Sequence, residues 1–351
     1  MKQFVISVLL LLLSSRFFAQ TRLLDDSFTP LPVQETHAAS LVTLRNRAPL
    51  EEVLNEVFDN VTANSSVVGF NAAIRLPDGT YWKRATGIAR QIPETEPLTT
   101  AHLIGMGSIS KTFLAAAILR MQEEGLLDLD DSIGQYLPPY PNISGAATIR
   151  QLLGHRTGFY DYLNDNQAFV NDLFTFTDSI WNMDTLLQYQ IGTPFFPVDS
   201  TFRYSNTNYL LAGKIIEVVT GQHWYEVLRQ KVIGPMGLSH TFQNPFETHG
   251  NQPYADVFID LNGNGQAEDL QGIGIADTAL FTAAASAGSL ITTPEDLVSF
   301  SAQLYGGLFL QPASLEEMQS NYSVLESGDL AGLGTFSDQN ELEIENWGHS
   351  G

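Results

Sequence analysis

Gly107-Ser108-Ile109-Ser110-Lys111 decides how this chain is read, because it sets a hydroxyl and an amine three residues apart where a helix pattern begins. The pattern runs from Ser108 to Glu124 and stops at Gly125. Residues three apart share one helix face, so a helix opening at Ser108 brings the Lys111 amine to the Ser108 hydroxyl. A serine hydroxyl is a poor nucleophile until a base takes its proton, and a lysine serves as that base when burial lowers its pKa towards neutrality. The helix N-terminus adds positive potential where an attacked carbonyl oxygen turns negative. The chain holds only five lysines, which weighs against Lys111 as surface decoration. Taken alone, Ser-x-x-Lys also describes an ordinary helix start, so the weight comes from the rest of the chain.

Two further tripeptides supply it. Tyr204-Ser205-Asn206 lies in a polar loop before a helix expected from about Asn208 to Thr220 and closed by Gly221. His349-Ser350-Gly351 lies on or beside a final strand expected over Glu341 to Trp347. A phenol near a lysine can shuttle protons, and an asparagine amide both donates and accepts, so both suit a polar cleft wall.

The order Ser108/Lys111, Tyr204/Asn206, His349/Gly351 resembles the serine β-lactamase family, particularly its class C branch with D-alanyl carboxypeptidases, D-aminopeptidases and esterases. Those enzymes carry Ser-x-x-Lys, Tyr-x-Asn and then Lys-Thr-Gly or His-x-Gly. Leu152-Leu153-Gly154-His155-Arg156-Thr157-Gly158 is similar to the family's Leu-Leu-x-His-x-Ser-Gly segment, and Ser286-Ala287-Gly288-Ser289-Leu290 to its later glycine-rich turn. The resemblance covers residues 50–351.

It implies an α+β fold, a mostly antiparallel sheet flanked by helices with an inserted helical lobe, and a cleft between them. Ser108 is then the acylated nucleophile, with Lys111 and Tyr204 sharing general-base and general-acid duty in an order the residues leave open. Asn206 orients the substrate or Lys111, and His349 and Gly351 line the substrate side. One oxyanion donor is the Ser108 backbone N–H. The family takes the other from beyond the third motif, which implies a chain continuing past Gly351. A small-molecule or peptide acyl substrate (amide, lactam or ester) follows, and no cofactor is required. A non-catalytic binding or sensing relative is the alternative.

Elsewhere Leu50, Val53, Leu54, Val57, Phe58 and Val61 repeat at helical spacing, and Ser66 to Leu76 and Tyr81 to Ala89 read as a hairpin about Pro77-Asp78-Gly79-Thr80. Short helices are expected over Thr148–Leu153, Trp224–Ile233 and from Thr293-Pro294-Glu295 to about Tyr305. The domain reading is an export signal over 1–20, a lead-in over 21–48 and a catalytic domain over 49–351. Lys2 and the apolar run Phe4 to Leu13, with cleavage near Ala19 or Gln20, suggest a secreted or periplasmic protein, and no stretch is long enough for a membrane span.

Absence of cysteine excludes disulfides and a thiol nucleophile, and a net charge of −22 argues against nucleic acid or an anionic membrane as partner. Asp260, Asn262, Asn264 and Glu268 resemble a calcium loop, although Gln271 stands where an EF-hand needs glutamate, and a solvated turn is the competing reading. His102, His155, His223, His240 and His249 lack zinc spacing and default to structural or surface roles. Ser286 in Ala-Ala-Ser-Ala-Gly is the rival nucleophile of an α/β-hydrolase, which needs a strand before it and a helix after it.

Overall fold

The computed structural model describes residues 50–351 apart from 66, 77, 191, 262, 263, 321, 322, 326 and 339–345. The expected export signal and lead-in, and most of the expected final strand, lie outside the described residues.

Helix α1 (Leu50–Ala63) turns its apolar stripe onto the hairpin, where Phe58 is buried edge-on against Trp82, with ring centroids 5.9 Å apart. Strands β1 (Gly69–Arg75) and β2 (Tyr81–Arg90) pair antiparallel from Gly69↔Gly87 to Arg75↔Tyr81, and β3 (Glu96–Pro97) adds to the far edge of β2. Leu76 N–H bonds to Thr80 O at 2.8 Å, and Gly79, at φ +88°, supplies the left-handed turn residue that a side chain would disfavour.

After β4 (Ile104–Gly105) the chain enters the helical lobe. Helix α2 (Ser110–Glu123) is its centre, with every residue from Ser110 to Leu119 buried. A helix apolar all round belongs in a core, and each fully buried leucine there contributes about 1.5–3 kcal/mol. Around it lie α3 (Ile149–Leu153), α4 (Gln167–Thr175), α5 (Met183–Gln188), α6 (Asn206–Thr220) and α7 (Trp224–Leu228). Thr148 caps α3 in a capping box with Gln151, and Gly221, at φ +69°, ends α6. The expected helix Trp224–Ile233 is α-helical only to Leu228. It then widens into a π turn, Arg229–Ile233, in which Gly234 N–H reaches Arg229 O at 2.8 Å.

The chain then leaves the lobe through β5 (Thr241–Gln243), the two-stranded β6 (Phe258–Ile259) and β7 (Glu268–Asp269), and helix α8 (Asp277–Ala284). Strand β8 (Leu290–Thr292) sits between β4 and β5. Helix α9 (Pro294–Tyr305), capped by Thr293 as expected, packs on β1, and its Phe300 stacks on Phe113 of α2 at 3.6 Å. Helix α10 (Pro312–Met318) precedes a last sheet of β9 (Ser323–Val324), β10 (Leu330–Ala331), β11 (Phe336–Asp338) and β12 (Asn346–Gly348).

The fold is α+β with a helical lobe between β4 and β5, and its strand pairs are antiparallel. Pairing among the described residues is divided over four small sheets rather than one. No helix of the described residues is long and apolar enough to cross a membrane.

Candidate active site

Ser108 rides a 3₁₀ turn, Gly107–Ile109, that leads into α2, so the regular helix opens two residues later than the spacing predicts. The turn keeps Ser108 half-buried at the end of a 14-residue helix whose positive pole faces it. Gly107, at φ +49°, and Gly351 meet backbone to backbone. A Cβ on Gly107 would lie 2.9 Å from the Gly351 carbonyl carbon, and one on Gly351 1.8 Å from Met106 O. The first and third motifs therefore join at a point where only glycine fits.

Lys111 is fully buried, and its amine is shared by three oxygens: Ser108 Oγ at 2.9 Å, Asn206 Oδ1 at 2.8 Å and Ala287 O at 2.7 Å. Burial lowers its pKa from 10.5 to about 7, with the nearby Asp161 carboxylate pulling it back up. The two carbonyl oxygens accept only, so each needs an N–H from the amine. A neutral lysine then has its lone pair left for the Ser108 hydroxyl. Tyr204 donates its phenol proton to Ser108 Oγ at 2.6 Å, and burial raises its pKa well above the phenolic norm, against the opposing pull of the Ser108 bond. The phenol is a proton donor at any ordinary pH.

Tyr204-Ser205-Asn206 occupies the approach to α6, with Ser205 extended as the helix N-cap and Asn206 as the first helical residue. The expected start at Asn208 falls two residues late, because nothing local distinguishes the motif's asparagine from a loop residue. His155 holds the approach from below. Its backbone O accepts Arg203 N–H at 2.9 Å, its Nδ1 accepts Ser205 N–H at 3.2 Å, and its ring stacks on Tyr204 at 4.4 Å. Burial, with the charges of Lys111 and His349, pushes its pKa far down, so the imidazole is neutral. Thus His155 does more than fill space.

His349 follows β12 and is buried with its ring 6.1 Å from that of Tyr204 and 5.0 Å from that of Phe336. Burial first, then the Lys111 charge, depresses its pKa to about 3. Its Nε2 is buried without a hydrogen-bond partner among the described residues. The six motif residues thus form one connected group: Lys111 and Tyr204 touch the Ser108 hydroxyl, Asn206 touches Lys111, His349 neighbours Tyr204 and Gly351 meets Gly107.

Two participants were given no part in the site by the sequence. Ala287 contributes only a backbone oxygen, which no side-chain pattern reveals. Asp161 sits in a stretch of aromatics and touches Asn206 from 45 positions away.

The calcium candidates give a turn closed on itself. Asp260 Oδ1 and Oδ2 accept the N–H groups of Asn264 and Gly265, Asn264 Oδ1 accepts that of Gln266, and Glu268 Oε2 accepts that of Leu261. Asn262 lies outside the described residues, and among those described no three His, Asp or Glu side chains gather as a metal cluster. Ser286 follows helix α8 rather than a strand, is buried, and donates to Tyr209 O at 2.9 Å, so the hydrolase elbow is absent there.

A family model described as Beta-lactamase matches residues 54–351. Penicillin-binding protein 4* of Bacillus subtilis (strain 168) is 30% identical over 175 residues, covering 49% of this chain and 38% of that protein, so the match spans well under two thirds of the relative. Two solved structures share the architecture. A D-stereospecific amidohydrolase from Streptomyces sp. aligns with a TM-score of 0.71 at 27% identity, over 86% of this chain and 87% of that one. The D-amino acid amidase of Ochrobactrum anthropi SV3, complexed with L-phenylalanine amide, aligns with a TM-score of 0.72 at 25% identity, over 86% and 84%.

Proposed function

Since the chain belongs to the Beta-lactamase family, we propose that it is an exported serine hydrolase that forms an acyl-enzyme on Ser108 with amide, lactam or ester substrates. One observation carries the reading: Lys111 Nζ and Tyr204 Oη both bond to Ser108 Oγ, at 2.9 and 2.6 Å. Neutral Lys111 takes the hydroxyl proton as Oγ bonds to the substrate carbonyl carbon, and the carbonyl π pair moves to oxygen. Tyr204, which keeps its proton, acts as the acid. The tetrahedral adduct collapses, the bond to the leaving nitrogen or oxygen breaks, and that atom takes the phenol proton while Tyr204 regains one from the Lys111 ammonium. Water then attacks the acyl carbon under the same base and frees Ser108.

Asn206 and His349 border the substrate side, and Gly351 fits against the nucleophile's turn. The likeness to a D-stereospecific amidohydrolase and to a D-amino acid amidase supports D-amino acid amides as the first compounds to assay. The apolar run Phe4 to Leu13 supports export, which fractionation of the native host would check.

Incubation with a fluorescent penicillin or a fluorophosphonate, followed by peptide mass spectrometry, tests the reading. An adduct on the peptide carrying Ser108, lost in Ser108→Ala, is expected. No adduct, or one on Ser286, overturns it.

A further inference from the structure

The carboxylate of Asp161 lies in the turn after Tyr160, buried with 2% of its surface exposed. Its Oδ1 accepts the N–H groups of Leu163 at 2.9 Å and Asn164 at 3.2 Å. Its Oδ2 accepts Asn164 Nδ2 at 3.0 Å, Asn206 N–H at 3.0 Å and Asn206 Nδ2 at 2.9 Å. Among the described residues it has no ion-pair partner. An isolated buried carboxylate is costly, and this one is held by five donors instead of a cation.

Two of those donors belong to Asn206 and fix different things. Asn206 is the first residue of α6, so its backbone N–H has no acceptor within the helix, and Asp161 caps it from another segment of the chain. The side-chain contact is more telling. An amide turned end for end would point its oxygen at the carboxylate and its NH₂ at the Lys111 amine, which already spends N–H groups on Ala287 O. Because Asp161 accepts only, the NH₂ end must face it, and Oδ1 must face Lys111.

Taking the proposed Ser108 chemistry as its premise, we infer that Asp161 is a positioning residue: it orients the Asn206 amide so that Lys111 presents its lone pair to Ser108, and its buried negative charge stabilises the protonated lysine. The two effects are separable by experiment. Misplacing Asn206 slows the reaction, with about 10²-fold for a displacement of 1 Å as the guide. Removing the charge makes Lys111 easier to deprotonate, which moves the acidic limb of the rate profile to lower pH.

The test is the second-order rate of fluorophosphonate labelling of the full chain between pH 5 and 9, for wild type and Asp161→Asn, with folding checked by thermal melting. Slower labelling of the folded variant together with an acidic limb shifted to lower pH is the expected result. An equal loss at every pH, or no loss, overturns the assignment. Should Asp161→Asn not fold, the comparison passes to Asn206→Asp and the exchange variant Asp161→Asn/Asn206→Asp. In the exchange variant, an amide at 161 again faces a carboxylate at 206. It should label at least tenfold faster than Asn206→Asp alone at pH 9, and parity between them refutes the contact. A wild-type chain that takes no label on Ser108 removes the underlying chemistry, an outcome distinct from a labelled wild type with an indifferent Asp161 variant.

Discussion

Lys111 is the side chain on which rate and pH converge. With its pKa lowered to about 7 by burial, it is protonated below that value and neutral above it. Because the neutral form is the base, kcat/KM on any turned-over ester should climb as pH rises from 6 to 8, with the midpoint near 7. A flat profile over that range, measured under subsaturating substrate, would count against lysine as the base. Tyr204→Phe keeps the ring stack on His155 and deletes only the donor to Ser108 Oγ, so kcat should fall about 10²- to 10⁴-fold with KM little changed. The side chains doing this work were partly legible in the sequence. Ser108, Lys111, Tyr204 and Asn206 stood out because their chemistry depends on residue type and spacing. Asp161 and the Ala287 carbonyl did not, since their contribution comes from where other segments put them.

Caps and glycines made the longer elements readable. Thr293-Pro294 and Gly221 mark a start and a stop by local backbone preferences, and the structure follows both. Helices α4, α5, α8 and α10, of nine residues or fewer, went unrecognised because none is closed by a glycine, whereas α3 and α7, shorter still, lie in segments that Gly154 and Gly234-Pro235 mark. Segments that short are marginal alone and form through tertiary burial, as Phe169, Leu186, Phe281 and Met318 show. The π turn after α7 was invisible for a related reason: a single surplus residue leaves the apolar spacing almost unchanged. Gly213 in α6 gives a test of how closely these elements fit. A Cβ there would lie 2.4 Å from Ser286 Oγ and 2.6 Å from Ser286 Cβ. Gly213→Ala gains about 1 kcal/mol in helix propensity, yet forcing a methyl into a filled core costs about 1–3 kcal/mol. The Tm of the variant should drop, and adding Ser286→Gly should restore it.

Chain-wide, the buried amine makes stability depend on pH in a direction that can be worked out. Lys111 has its ordinary value of 10.5 when unfolded and about 7 when folded, so between these the unfolded chain binds the extra proton. Stability from this group therefore increases as pH climbs from 7 towards 10.5, by roughly 5 kcal/mol over the full window. Thermal melts of wild type at pH 7 and 9.5 should show Tm rising, and Lys111→Met should lose most of that rise. His349 acts in the same sense lower down. Its folded value of about 3 lies under the ordinary 6.5, so its contribution is lost as pH falls from 6.5 towards 3.

Helix α2, enclosed on every side from Ser110 to Leu119 and clasped to α9 through Phe113 and Phe300, has a mechanical consequence. A rod packed this way cannot tilt without tearing several neighbours loose, so it behaves as the fixed axle of the protein. Any breathing of the cleft to admit bulky substrates must be done by the peripheral walls, while the attacking oxygen stays still.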